Sequence, residues 1–130
     1  MADVEIDGHS LTIEEAISVA NGNNTAVLAQ SARRRMEESR KGVEQIIDSG
    51  EVVYGINTGF GAMSSVRIAG DDLEQLQTNL IKSHACGVGD LMDPEHVLLM
   101  MVFRANSLAK GVSGIRPIIV DLLLGMVNNG

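Results

Sequence analysis

The chain has 130 residues, 45% of them hydrophobic and 21% charged, a balance that excludes a disordered chain and predicts one soluble globular unit. The formal net charge of −7 argues against a nucleic-acid backbone or an anionic membrane as the partner. A single cysteine, Cys86, excludes an intrachain disulfide, so we expect a cytoplasmic protein.

Neither a targeting segment nor a membrane span is expected. Residues 1–7 carry three acidic side chains and no apolar run, so we expect no signal peptide. The longest apolar run, Ile118 to Val127, is interrupted by Asp121. It is shorter than the roughly 20 residues that a membrane-spanning helix requires.

The N-terminal segment alternates apolar and polar residues from Val4 to Ile13 around the pair Asp7-Gly8. Such alternation around an Asp-Gly pair predicts a small β-hairpin. Thr12 and Glu15 have the spacing of a capping box, which predicts a short helix that ends at Asn21-Gly22.

A second, longer helix is predicted to follow a cap at Asn24 or Thr25 and to end at Ser49-Gly50. Its apolar residues form a loose stripe at helical spacing: Val27, Leu28, Ala32, Met36, Val43, Ile46 and Ile47. Its charged residues predict an ion-paired, solvated face rather than a binding patch: Arg33, Arg34, Arg35, Arg40 and Lys41 with Glu37, Glu38 and Glu44.

Three glycines interrupt the segment Val53–Gly61, which also holds the only tyrosine of the chain, Tyr54, and Phe60. Glycine is the residue for backbone that adopts a positive φ or closely approaches another group. From spacing alone, two interpretations remain open. Either both aromatic rings pack beneath a structural turn, or the loop presents the phenol to a cleft.

Phosphate binding is another common use of a Gly-rich loop, and the sequence disfavours it. A P-loop ends in Gly-Lys-Ser/Thr, whereas Gly61 is followed by Ala62-Met63. The dinucleotide fingerprint requires a third glycine where this chain has Ser64. A nucleotide-binding module is therefore disfavoured.

The helix after the loop is predicted from a second capping box, Asp72 with Gln75, and should end before Gly87. Its apolar stripe ends at His84, which the pattern alone interprets as a satisfied boundary histidine. Cys86 is expected to be a small packed residue. We predict no metal site, because a structural zinc needs four ligands and a catalytic zinc about three.

Two apolar helices complete the chain. Asp93-Pro94 predicts the start of a helix that runs to about Lys110, and Arg116-Pro117 opens the next. Both helices are apolar on nearly every side, so they must be surrounded by protein. A chain of this size has few spare faces, so either more of the same chain or other subunits should cover Val97–Phe103 and Ile118–Val127. We expect the cover to be another copy of the chain. A homo-oligomer is therefore predicted.

Four motifs together carry a family resemblance. They are Tyr54–Gly61, Leu76–His84, Arg104–Gly111 and Ser113–Pro117. In this order they resemble the aromatic amino acid ammonia-lyases, and within that family the branch that acts on histidine. The likeness covers the chain from Leu11 onward.

The resemblance implies a mainly α fold, the N-terminal part of a multi-helical, aspartase/fumarase-like bundle with a Gly-rich catalytic loop. Residues 1–110 would carry the tyrosine loop and the histidine helix, and residues 111–130 would begin the central helical bundle. The family assembles as a homotetramer, and its members are several-fold longer than this chain. The turn-like ending Asn128-Asn129-Gly130, after two apolar helices that other polypeptide must cover, also suggests a truncation within a larger protein.

The chemistry that the resemblance implies is removal of ammonia from an amino acid, here L-histidine, to give trans-urocanate. The family's electrophile is a methylidene-imidazolone formed from an internal Ala-Ser-Gly. The 130 residues contain no Ala-Ser-Gly, and Val112-Ser113-Gly114 matches a different motif. We therefore expect the tripeptide beyond Gly130 and an inactive isolated chain.

The resemblance also assigns roles to individual residues. Tyr54 matches the base that takes the β-proton of the substrate, and His84 matches the position that contacts the substrate side chain. Gly59 and Gly61 would let backbone N–H groups reach the substrate. Because an imidazole can bind either ring, a tyrosine or phenylalanine ammonia-lyase or an aminomutase remains an alternative. So does a truncated module that only binds or assembles.

Overall fold

The computed structural model describes residues 2–130, apart from the side chains of Met63, Gly70 and Asp71. Across these residues the elements are β1 (Asp3–Ile6), α1 (Ile13–Ala20), β2 (Thr25–Leu28), α2 (Gln30–Ser49), α3 (Gly70–His84), α4 (Pro94–Leu108) and α5 (Pro117–Asn128). The predicted mainly α fold is confirmed.

Contacts within the chain divide it into two compact units. The first unit is Met1–Lys41 with Leu91–Gly130, and the second unit is Gly42–Asp90. The predicted division at residue 110 concerns the whole protein, and it stays a prediction.

The two strands form a parallel pair, so the predicted β-hairpin was wrong. β1 lies beside β2 with Asp3 opposite Thr25, and α1 supplies the crossover that a parallel pair requires. The Asp7-Gly8 turn directs the chain towards α1 instead of a returning strand. Backbone N–H groups of Ser10 and His9 donate to the Asp7 carboxylate, and they lower the pKa of Asp7 from 3.8 to about 2.

Helix α1 begins as the sequence predicts. The Thr12 hydroxyl accepts a hydrogen bond from the Glu15 N–H at 3.2 Å, and the Glu15 carboxylate accepts one from the Thr12 N–H at 2.9 Å. This reciprocal pair satisfies two N–H groups that the first helical turn leaves without partners. The predicted capping box is therefore confirmed.

The core of the first unit lies among β1, β2, α1, α2, α4 and α5. Its fully buried side chains include Ile6, Val19, Val102 and Val120. Each large aliphatic side chain removed from water stabilises the folded state by about 1.5–3 kcal/mol.

Helix α4 starts where predicted. The Asp93 carboxylate accepts a hydrogen bond from the N–H two residues later, and proline lies in the first turn.

The start of α2 differs from the prediction and its end does not. Val27 and Leu28 belong to β2, and the helix begins at Gln30 and ends at Ser49. Asn24 or Thr25 was predicted as the helix cap, but the segment from Thr25 pairs with β1 instead. Pairing with a strand distant in sequence outweighs a local capping preference.

Two arginines of α2 bind outside their own helix. Arg33 is ion-paired as predicted, but with Asp121 rather than with a glutamate of α2, and the prediction of an ion-paired, solvated position was wrong for Arg35. Arg33 donates to both carboxylate oxygens of Asp121, at 3.1 and 2.7 Å. Arg35 donates to the carbonyl oxygens of Asp7 and Ala109, at 2.6 and 3.3 Å. These bonds connect α2 to α5, to the turn after β1 and to the end of α4.

The predicted capping box of α3 was also wrong. The helix begins at Gly70 with Ala69 as its N-cap, so Asp72 lies inside the first turn. The Gln75 side chain instead donates to the Asn79 side chain at 2.8 Å. The predicted end is confirmed, because His84 is the last residue of the helix.

Candidate active site

Tyr54 lies in the tight turn Val53–Asn57 of the second unit. The N–H groups of Ile56 and Asn57 both donate to the Val53 carbonyl, at 3.1 and 3.2 Å. Gly55 has a φ of +80°, a conformation that strains residues with a side chain. The glycine next to Tyr54 is therefore required by the turn itself.

The segment after the turn is held by backbone hydrogen bonds to a neighbouring segment. The Ile68 N–H donates to the Asn57 carbonyl at 2.9 Å, and the Gly59 N–H donates to the Val66 carbonyl at 3.1 Å. Thr58, between these two bonds, is 1% exposed. The base of the tyrosine loop is thus an ordered, buried structure.

Asn57 closes the turn with its side chain. It is 3% exposed, its Oδ1 accepts from the Val53 N–H at 2.9 Å, and its Nδ2 donates to the Glu51 carbonyl at 2.6 Å. Sequence reasoning gave Asn57 no role beyond its place in a motif. The available signal was an amide side chain four residues after Val53 in a Gly-rich loop.

The phenol of Tyr54 is presented to solvent rather than packed beneath the loop. Its side chain is 63% exposed. The Phe60 ring lies beside it in an edge-to-face arrangement, with ring centroids 6.2 Å apart and an interplanar angle of 73°. This exposure does not fit the first interpretation, in which both aromatic rings pack beneath a structural turn; presentation of the phenol to a cleft stays a prediction.

Gly59 and Gly61 occupy different environments in the same loop. Gly59 is buried, and its N–H is already bonded to the Val66 carbonyl. Gly61 is exposed, has a φ of +59° and begins a short 3₁₀ turn. In this structure, Gly59 therefore uses its N–H to hold the loop together.

His84 lies at the exposed C-terminal end of α3. Its Nδ1 is 2.9 Å from the Leu80 carbonyl oxygen and 3.0 Å from the Ser83 hydroxyl oxygen, which itself donates to the same carbonyl. A carbonyl oxygen only accepts, so the tautomer that fits this contact is the one with the proton on Nδ1. In the neutral ring, Nε2 is then a hydrogen-bond acceptor.

Tyr54, Gly59 and Gly61 come together in one loop, whereas the hydrogen bonds of His84 are to residues of its own helix.

Cys86 is exposed, so its predicted packed environment was wrong. Among the described residues, no group of three or more His, Cys, Asp or Glu side chains is placed to hold a metal ion. Nor does any described helix have the length and apolar character to cross a membrane.

Comparison with known proteins identifies relatives over nearly the whole chain. The family model for aromatic amino acid lyases matches residues 11–130. The histidine ammonia-lyase of Geobacillus thermodenitrificans (strain NG80-2) is 48% identical over 127 residues, which are 98% of this chain and 25% of that protein.

Solved structures give the same picture. Histidine ammonia-lyase from Trypanosoma cruzi matches with a TM-score of 0.89 and 37% identity, over 100% of this chain and 25% of that one. Tyrosine aminomutase from Streptomyces globisporus matches with a TM-score of 0.90 and 34% identity, over 98% of this chain and 24% of that one. The chain thus spans about a quarter of the length of the curated relatives it matches.

Proposed function

The chain belongs to the aromatic amino acid lyase family, and we propose that it forms the N-terminal part of a histidine ammonia-lyase, which converts L-histidine to trans-urocanate and ammonia. The observation that carries the proposal is 48% identity over 127 residues to a protein of that name. The family match includes both Tyr54 and His84. Because the chain spans a quarter of its relatives, the activity is proposed for the whole protein.

Tyr54 is the proposed base that takes the β-proton of the substrate. That proton is weakly acidic, and a phenolate is a stronger base than a carboxylate or an imidazole. The exposed phenol and the ordered turn beneath it support this role, because a general base must reach its proton directly.

His84 is proposed to contact the substrate ring. With its proton on Nδ1, it offers Nε2 as an acceptor for the ring N–H of a substrate imidazole. A phenol hydroxyl can donate to the same nitrogen, so a tyrosine ammonia-lyase or aminomutase is the second candidate. The match to tyrosine aminomutase at 34% identity favours that alternative over one that uses phenylalanine, whose ring has no donor. Gly59 and Gly61 are proposed to shape the substrate side of the loop.

The electrophile is proposed to come from another part of the whole protein. The family resemblance implies a methylidene-imidazolone formed from Ala-Ser-Gly, and no such tripeptide occurs among the 130 residues. The group would withdraw electrons from the bound substrate. This chain would supply the proton acceptor and the ring contact. We expect the isolated chain to produce no urocanate from L-histidine.

Assembly into a homotetramer in the cytoplasm is part of the proposal. Helices α4 and α5 expose large apolar side chains, among them Met100 at 58% and Leu122 at 56%. Such surfaces become stable when another subunit or further chain covers them. The acidic net charge gives no reason to expect a nucleic-acid partner.

A chimera tests the proposed function. This chain would replace the matching N-terminal quarter of the Geobacillus thermodenitrificans enzyme, and urocanate formation would be followed by absorbance. We expect turnover with L-histidine, and we expect Tyr54→Phe to lower kcat by roughly 10²- to 10⁴-fold while the chimera stays folded. A folded chimera that prefers L-tyrosine would favour the second candidate. A loss below tenfold in Tyr54→Phe would make the loop tyrosine structural.

A further inference from the structure

Asn57 is a buried polar side chain in a loop whose tyrosine is mostly in solvent. Its carboxamide contacts backbone groups of Glu51 and Val53, which precede Tyr54, although Asn57 itself follows Tyr54 in the chain. The side chain therefore spans the turn from one side to the other. Tyr54 is one of the residues between the two ends of the turn that these hydrogen bonds join.

We propose that Asn57 is the positioning residue of Tyr54. The inference rests on the proposed role of Tyr54 as the base, and it assigns the positioning of that base to a buried residue. Its two side-chain hydrogen bonds hold the turn closed. The backbone beneath the phenol then stays in one conformation.

The chemistry of the contact requires both halves of an amide. One partner is an N–H, which needs an acceptor, and the other is a carbonyl, which needs a donor. Aspartate supplies the acceptor, but its carboxylate cannot donate to the Glu51 carbonyl. Alanine supplies neither group. It leaves the Val53 N–H and the Glu51 carbonyl without these partners at a position where the native side chain is only 3% exposed.

The backbone of Asn57 is fixed as well. Its N–H donates to the Val53 carbonyl, and its carbonyl accepts from the Ile68 N–H. Asn57 thus joins the turn to the buried base of the loop. The Tyr54 ring is mostly exposed and meets the Phe60 ring in an edge-to-face contact, so its position depends on the backbone that Asn57 holds. Misplacing a catalytic group by about 1 Å can cost roughly 10²-fold in rate.

The sequence provides a direct probe of this proposal. Tyr54 is the only tyrosine and the chain has no tryptophan, so tyrosine fluorescence reports on Tyr54 alone. Time-resolved anisotropy separates rapid local motion of the ring from tumbling of the whole chain. We expect the rapid component to be small in the unchanged chain and to grow in Asn57→Ala, at a temperature far below the melting point of either protein.

Asn57→Asp and Asn79→Ala complete the experiment. Asn57→Asp keeps the acceptor and loses the donor, so it should loosen Tyr54 at neutral pH. Acidification should tighten it again, because a protonated carboxyl can donate to the Glu51 carbonyl. Asn79→Ala changes an exposed asparagine of α3 in the same unit and should match the unchanged chain.

The outcomes separate a positioning role from a general structural one. If Asn57→Ala is folded by circular dichroism and Tyr54 moves no faster than in the unchanged chain, the proposal is overturned. Should Asn57→Ala not fold, Asn57→Asp decides, and unchanged anisotropy at neutral pH overturns the proposal. The result is independent of catalysis, because a finding that Tyr54 is not the base would leave the anisotropy unaffected.

Discussion

The close approach of Gly111 to α2 predicts that Gly111→Ala destabilises the first unit strongly. Gly111 ends one of the family motifs and has a φ of +76°. A Cβ built at this position would lie 2.7 Å from the Arg35 Cβ and 2.9 Å from the Arg35 carbonyl carbon. Real Cβ atoms do not come that close to a neighbouring backbone. The connection between α4 and α5 would have to move away from α2.

Two costs add in this variant. Placing a residue with a side chain in the left-handed region of φ and ψ destabilises the folded state by about 1–2 kcal/mol. Forcing a methyl group into a packed contact costs about 1–3 kcal/mol more. Alanine also lowers the conformational entropy of the unfolded chain, and this effect offsets about 0.4–1 kcal/mol of the destabilisation. The free energy of unfolding should therefore fall by about 1–5 kcal/mol, a large part of the roughly 5–15 kcal/mol that holds an ordinary domain folded.

Gly22→Ala is the matched control for Gly111→Ala. Gly22 has a φ of +70°, and a Cβ there would meet nothing within 4 Å. This variant therefore carries only the conformational cost, about 1 kcal/mol. Urea unfolding followed by circular dichroism measures both variants. Equal destabilisation would refute the reasoning, because it would show that the approach of Gly111 to α2 is not tight in solution.

Local signals predicted most helix ends in this chain. Thr12 with Glu15 and Asp93 with Pro94 form caps from residues a few positions apart, so their geometry follows from the sequence. The strand pairing could not be found in this way. The segment from Thr25 has signals for a helix cap as well as for a strand, and its partner, β1, decides between them.

The candidate site was found by resemblance, and its supporting contacts were not. Tyr54 and His84 follow from motifs, whereas the proton position on His84 depends on the path of α3 past Leu80. The role of Asn57 needed the turn itself, since a sequence shows an amide but not its partners. Cys86 shows the same limit: a small apolar residue near a helix end can be packed or exposed.

Three further predictions concern specificity, acid stability and assembly. In the chimera, His84→Phe should favour L-phenylalanine over L-histidine by roughly tenfold or more in kcat/KM, because an apolar ring leaves the imidazole N–H without an acceptor. An unchanged preference would remove His84 from the site. The pKa of Asp7 is depressed to about 2, so its carboxylate stabilises the fold above about pH 4, and this contribution is lost as the pH falls through about 2. Melting temperatures of the unchanged chain should therefore fall more steeply over that range than those of Asp7→Asn, and parallel curves would contradict the assignment. On assembly, Met100 of α4 and Leu122 of α5 are more than half exposed. Each large apolar side chain left in water forgoes about 1.5–3 kcal/mol, so several together rival the stability of a domain. Light scattering at micromolar concentration should show a dimer or larger species, and Leu122→Glu should shift it towards monomer because a charge cannot be buried there unpaired. A clean, folded monomer of the unchanged chain would show that these helices need no second copy.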